Sequence, residues 1–317
     1  MMAKTLERRS AAASDSGRVR SDNQDRAYTD DELGIFLVVD GLGGHAAGEK
    51  AAETAVEVIG AELRLAEGDA GDRIRRAITA ANNRIFDQAA ENEAWRGMAC
   101  VLTLALIEDG RVTVGHVGDS RLYLTWNGAI RKLTADHSPV GEREDAGELT
   151  EAEAMAHPRR HEVFRDVGSR RREQDEEDFI EVKEFLFKPD AAILLCSDGL
   201  SDLLTSTEIL EVIERYDGDP AQIAHELVDA ANVAGGSDNI TAIFVAGSEF
   251  LGAASPSAAE ARARNAITRA RDGTEERAPS QVARVLTTRL AFLVYGFILG
   301  VGLALAGVAL GLRWPKP

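Results

Sequence analysis

Apolar residues in this chain come in two patterns, short unbroken runs and stripes at helical spacing, and the two are grouped in blocks. Residues 35–39 form a five-residue apolar run, the length of a strand buried on both faces. Two helical stretches follow, 46–66 and 72–93; in the second, Ile74, Ile78, Ala81, Ile85 and Ala89 recur on one face. Residues 99–108, 111–118 and 121–128 then read as consecutive strands. The first two are joined by Asp109-Gly110, a two-residue hairpin signal. Further on, 178–187 and 191–196 read as strands, 205–216 and 220–233 as helices, and 240–246 as a closing strand. Helices adjacent in sequence, and strands joined by hairpins, predict an α+β layered fold with antiparallel sheets. The pattern shows no internal repeat.

The end of the chain is patterned differently. Residues 290–312 pass without one charge, and 23 residues of helix span a hydrocarbon core. Arg289 and Arg313 flank the run. Seven arginines lie in 262–289, against Arg313 and Lys316 beyond it. The positive-inside rule therefore predicts a single-pass C-terminal anchor in the cytoplasmic (inner) membrane with the large body cytoplasmic. Gly296-x-x-x-Gly300 and Gly307-x-x-x-Gly311 would allow two such helices to pack as a homodimer. The predicted organisation is an N-terminal tail at 1–14 and a globular domain at 15–250. A linker rich in Ala, Ser, Arg and Glu follows at 251–288, then a transmembrane helix at 289–313 and a short tail at 314–317. The N-terminus lacks the apolar stretch of a secretory signal.

Charge narrows the choice of partner. The net charge is −17, but residues 253–317 carry nine Lys/Arg against four Asp/Glu, so the first 252 residues carry −22. So acidic a body argues against nucleic acid as a partner and suits a protein that gathers divalent cations. The two cysteines, Cys100 and Cys196, sit inside apolar runs, which argues against a disulfide framework.

The chemistry centres on "VVDGLGGHAAGE" (38–49), where an apolar run meets Asp40 and then glycines. Gly41-Leu42-Gly43-Gly44-His45-Ala46 fits a dinucleotide-binding fingerprint. That reading fails, because a second helix follows instead of a parallel strand, and Asp40 would face the pyrophosphate. A simple turn accounts for a single Asp-Gly, as at Asp109-Gly110. It does not account for Asp119 in "HVGDSRLY", Asp198 in "LLCSDGLSD" and Asp238 in "GGSDNITAI", which share the setting of Asp40. Four carboxylates at strand ends, able to gather at one end of a layered sheet, suit hard cations such as Mg²⁺ and Mn²⁺. Cysteine-phosphatase chemistry needs an arginine six residues after the cysteine; position 106 is Leu and position 202 is Asp, which excludes it.

With these acids the sequence resembles bacterial metal-dependent protein phosphatases of the PPM (2C-like) family. The matching segments, in order, are "VRSDNQDRAY", "VVDGLGGHAAGE", "GHVGDSRLY", "LTADHSPV", "HPRRHEVFRDVG", "LLCSDGLSD" and "GGSDNITAIFV", covering roughly 15–247. The resemblance implies a four-layer α/β/β/α sandwich, two antiparallel sheets flanked by helix pairs. It implies two Mn²⁺ or Mg²⁺ ions, with Asp40 bridging them, the Gly41 carbonyl on one, and Asp198 and Asp238 on the other. A third, weaker metal would be shared by Asp119 and Asp198. Arg20 would grip the substrate phosphate and Asp25 would orient the attacking water. The implied reaction is hydrolysis of phosphoserine and phosphothreonine in proteins, with a Ser/Thr kinase and its substrates as partners.

Some positions depart from the pattern. Leu42 stands where eukaryotic relatives carry a histidine, and Ala99-Cys100-Val101 replaces the usual Gly-Thr-Thr. His45 and His116 read as structural; His137 and His161 are candidates for substrate contact outside the assigned site. The run "SRRREQDEEDF" (169–179) reads as a solvated loop. Two alternatives stay open: a catalytically silent module that binds phosphoproteins or scaffolds a complex, and a phosphatase acting as a switch on a small regulatory protein. Asp40, Asp198, Asp238 and Arg20 are all present, which argues against the silent module.

Overall fold

The structure, a computed structural model, describes residues 8–65 and 67–254. The predicted membrane span, and the linker beyond residue 254, lie outside the described residues. Among those described, no helix is long and apolar enough to cross a membrane.

The chain opens with strands β1 (Arg8–Asp15), β2 (Arg26–Asp30) and β3 (Ile35–Leu42), then helices α1 (His45–Leu65) and α2 (Ala70–Glu91). Strands β4 (Ala99–Glu108), β5 (Arg111–Val117), β6 (Arg121–Trp126) and β7 (Ala129–Lys132) follow. After them come the short helices α3 (Pro139–Asp145) and α4 (Glu151–Met155). The remainder is β8 (Glu181–Leu186), β9 (Ala192–Cys196), α5 (Asp198–Ser201), α6 (Ser206–Ile213), α7 (Pro220–Val233) and β10 (Ile240–Gly247). Two five-stranded sheets result, ordered β1-β10-β9-β6-β7 and β2-β3-β4-β5-β8, with every pairing antiparallel.

The continuous apolar runs explain the layering, because a strand sends alternate side chains to opposite faces. From β3, Ile35, Leu37 and Val39 pack against α1 and α2, while Phe36 and Val38 point between the sheets. In the other sheet Ile193, Leu195, Ile243 and Val245 fill the space between sheets. Leu194, Phe244 and Ala242 pack against α6 and α7 with Ile209, Ile213, Ile223 and Leu227. The order of layers is therefore helix pair, sheet, sheet, helix pair, as expected. Asp109 and Gly110 join β4 to β5 with φ of 48° and 75°, the pair of positive values that a type I′ hairpin turn requires.

Three expectations need correction. Residues 8–14, read as part of a tail, form β1, which pairs with β10 from Arg8↔Gly247 to Asp15↔Ile240. Its Ala/Ser sequence carries little apolar signal because it is an edge strand. The globular unit also runs past residue 250: Gly252 N–H donates to Tyr216 O and Ala254 N–H to Glu214 O. The charged run 169–179 is not simply solvated. Arg172 is buried, pairs with Glu176 and lies 4.4 Å from the centre of the buried Phe179 ring. Asn82 and Asn83 of α2 bind the Arg170 and Arg172 carbonyls, fastening the run to the helix.

Candidate active site

Antiparallel pairing brings the ends of β3, β5 and β9 to the same edge as the beginnings of β2 and β10. All the predicted acids stand at that edge. Asp40 lies in the last turn-ward residues of β3, opposite Val101, and the strand continues through Gly41 and Leu42 instead of stopping at Val39. Asp119 sits in the β5–β6 turn, Asp198 opens α5 directly after β9, and Asp238 precedes β10 by two residues. Arg20, Asp40, Gly41, Asp119, Asp198 and Asp238 line one cavity of about 370 Å³. Asp25 is buried beneath it.

Glycine is needed where main chains converge. A Cβ on Gly41 would lie 2.2 Å from the Gly48 carbonyl oxygen, so α1 can begin against the strand end only because that side chain is missing. At Gly199 a Cβ would lie 1.9 Å from the Asn239 carbonyl oxygen, which lets α5 abut the start of β10.

The electrostatics are those of a cation site. Burial, followed by repulsion from Asp25 and Asp198, holds the Asp40 carboxyl well above the usual carboxylate range. Burial and Asp198 do the same for Asp119, and burial pushes Asp25 up to about 7. The Asp25 Oδ1 and Asp198 Oδ1 atoms are buried with no hydrogen-bond partner. Buried carboxylate oxygens without donors, set among other carboxylates, are unstable arrangements unless a cation joins them. The donor set is all oxygen, so these residues fit hard divalent ions.

Arg20 is half exposed and donates through Nη2 to Asp238 Oδ2 at 2.8 Å. Its guanidinium thus reaches the cavity from the solvent side.

Three residues inside the quoted motifs carry roles that sequence reasoning missed. Ser197 Oγ donates to Asp25 Oδ2 at 2.7 Å and accepts Thr241 N–H at 3.0 Å, which orients the buried acid. Asn239 accepts Gln24 N–H and donates to the Ser16 and Asp22 carbonyls, stitching the loop that bears Arg20 to β10. Asp202 is pushed up to about 7 by burial and Asp198. It accepts Arg160 Nε at 3.0 Å, and His161 Nδ1 lies 3.5 Å from it and 3.7 Å from Asp198. Spacing was the available signal for Asp202: it falls one helical turn after Asp198, where both can face one site. His161, a candidate for substrate contact, does line the cavity.

His116 and His137 are structural. His116 Nε2 faces the Ala135 carbonyl and Nδ1 faces Thr103 Oγ1, while His137 Nδ1 accepts Gly118 N–H. The two rings and Glu181 converge closely enough to hold an ion. The Arg165 guanidinium, 3.1 Å from His137 Nε2, already places a positive charge there.

Burial lowers His116 to about 4. A histidine lowered in the folded state takes up its proton more readily when unfolded, so it withdraws stability as pH falls from about 6.5 towards 4. His116 should cost the protein about 2 kcal/mol at pH 5 relative to pH 8. Urea denaturation at the two values should show a smaller acid loss for His116→Gln than for the parent; equal losses would refute this.

The layered sandwich with a carboxylate-lined cavity at one edge defines a PPM-type fold built around a cation site. Residues 12–229 match the protein phosphatase 2C family, and the chain belongs to it. A serine/threonine phosphatase, stp, of Listeria monocytogenes is 34% identical over 241 residues, covering 73% of this chain and 92% of that protein. The serine/threonine protein phosphatase PstP of Mycobacterium tuberculosis is 35% identical; 75% of this chain matches 45% of its length. A crystal structure of PstP superposes with a TM-score of 0.67 at 32% identity, covering 75% of this chain and 98% of that one. A structure of the PstP catalytic domain in complex with two manganese ions gives 0.67 at 31% identity, covering 76% and 99%.

Proposed function

We propose that this protein is a Mn²⁺- or Mg²⁺-dependent phosphatase that removes phosphate from phosphoserine and phosphothreonine in proteins. The observation that carries the reading is the single cavity lined by Asp40, Gly41, Asp119, Asp198, Asp238 and Arg20. Asp40, the Gly41 carbonyl, Asp198 and Asp238 would hold two ions, and Asp119 with Asp198 a weaker third. The two manganese ions in the PstP catalytic-domain structure support a two-ion site. Bound ions supply charge neutralisation for the phosphoryl oxygens and an activated water as nucleophile.

The chain's own residues do the rest. Arg20 reaches two phosphate oxygens with its planar fork once it leaves Asp238. Asp25, fixed by Ser197, presents a buried carboxylate oxygen that can accept a proton from the attacking water. Cys100 and Cys196 take no part, since burial holds both thiols above their ordinary range. Leu42 offers no proton to the leaving serine.

The silent-module reading is disfavoured because the whole set of acids faces one cavity. With Mn²⁺ present, phosphate should be released from phosphoserine and phosphothreonine peptides at least tenfold faster than from phosphotyrosine peptides. Release at equal rates, or none, would contradict the assignment.

We further infer a tether on the cytoplasmic face of the membrane, with a Ser/Thr kinase or its substrates as partners. Support for the tether comes from the uncharged run 290–312 and its arginine-rich approach. Removal of residues 289–317 should shift the protein from the membrane to the soluble fraction. An unchanged distribution would remove the anchor, and with it pairing through the glycine motifs.

A further inference from the structure

His161 and Val163 line the phosphate cavity, yet the segment that carries them is largely exposed. Within 157–164 the main chain forms short turns, Arg160 N–H to His157 O and Glu162 N–H to Arg159 O. The place of such a segment depends on what holds its ends. At one end Phe164 N–H donates to His137 O at 3.0 Å. At the other stands α4, which has five residues, too few for helix formation alone to hold it in place.

α4 is fastened from outside the site. Oε1 of Glu151 accepts both the N–H of Ser206, at 2.8 Å, and its hydroxyl, at 2.7 Å. Ser206 is the first residue of α6, where main-chain N–H groups have no partner inside the helix and a negative charge is favoured. The attachment is therefore two-pronged and charge-assisted. Packing carries it towards the site. Ala154 and Met155 of α4 share a space of only about 20 Å³ with Asp119, Asp198 and Asp202. Beyond α4, Arg160 donates to Asp202, and His161 approaches Asp198 and Asp202. Neither Glu151 nor Ser206 lines the cavity.

We propose that Glu151 and Ser206 form a clasp that positions His161 in the wall of the phosphate cavity, where it meets the substrate phosphoprotein. The inference rests on the phosphatase reading. Both are positioning residues and act through α4. Opening the clasp frees α4 and lets the segment 157–164 adopt orientations in which His161 leaves the cavity. Only a fraction of molecules is then competent to bind, so KM rises by the inverse of that fraction while bound substrate turns over as before.

In the full chain with Mn²⁺, Glu151→Ala should raise KM for a phosphoserine peptide about fivefold and leave kcat within about twofold. Glu151→Gln, which keeps an acceptor for both Ser206 groups, should restore most of the loss. Ser206→Ala removes only the hydroxyl arm and should fall between parent and Glu151→Ala, which guards against a folding defect in the latter. His161→Ala should itself raise KM, and adding Glu151→Ala to it should change KM by less than about twofold, because the clasp then has nothing left to position. Hydrogen exchange at the amides of 157–164 should be faster in Glu151→Ala than in the parent. Unchanged KM or unchanged exchange in Glu151→Ala, or effects of Glu151→Ala and His161→Ala that multiply, would overturn the clasp. A parent that releases no phosphate from the peptide would instead overturn the phosphatase reading, and the exchange measurement would still decide whether the clasp holds the segment.

Discussion

Asp40→Asn should lower turnover by about a thousandfold or more, because it removes the carboxylate best placed to be shared between two ions. The same substitution should stabilise the metal-free protein. In the folded chain Asp40 faces Asp25, Asp198, Asp119 and Asp238, and its carboxyl is held well above the usual range. At neutral pH its charge is therefore a cost of folding, and Asn removes it. A relief of about 1 kcal/mol corresponds to about 2–4 °C in Tm for a domain of this size. Mn²⁺ should raise the Tm of the parent and do so far less for the variant. The combination is diagnostic: inactivity with a higher metal-free Tm marks a lost ligand, inactivity with a lower Tm marks misfolding. Retained activity would sink the assignment of Asp40.

The largest expected effect on stability is at Arg121. It is buried in β6, two residues beyond Asp119, and its guanidinium donates Nε and Nη2 to the buried Asp136 and Nη2 to Glu144 of α3. Arg121→Leu would leave Asp136 and Glu144, among the described residues, with only Lys132 as a paired counter-charge. Breaking a buried pair in this way costs about 3–5 kcal/mol, a large share of the stability of a typical domain. Urea denaturation should show that loss, and Arg121→Leu with Asp136→Leu should recover part of it. A single-variant loss below about 1 kcal/mol would mean that the pair is solvated instead. Because β6 starts at the Asp119 turn, the account also expects the single variant to bind Mn²⁺ more weakly.

Both predictions depend on features that differ in how visible they are in sequence. The inner strands are legible because β3, β4, β9 and β10 are buried on two faces and read as mostly apolar runs. The edge strands β1 and β7 are not. β1 is built from "RRSAAASD" and β7 from "AIRK", whose pairing is set by the neighbouring strand and not by their own apolar content. Asp40, Asp119, Asp198 and Asp238 were legible because each follows or borders a strand and meets glycine. Ser197 and Asn239 were not, since their effect lies in partners far along the chain: Ser197 reaches Asp25, and Asn239 reaches Gln24. The run 169–179 misled for a related reason. Its three arginines are paired with Glu176 of the run and Asp87 of α2, and Phe179 beneath them is the only apolar residue it shows.

The most direct test of the central claim is a metal titration of phosphatase activity. The purified full chain, stripped with EDTA, should fail to hydrolyse p-nitrophenyl phosphate. Activity should return on titration with Mn²⁺ or Mg²⁺, and Arg20→Ala should weaken it without abolishing the metal response. Equal hydrolysis in EDTA and in Mn²⁺ would contradict the account.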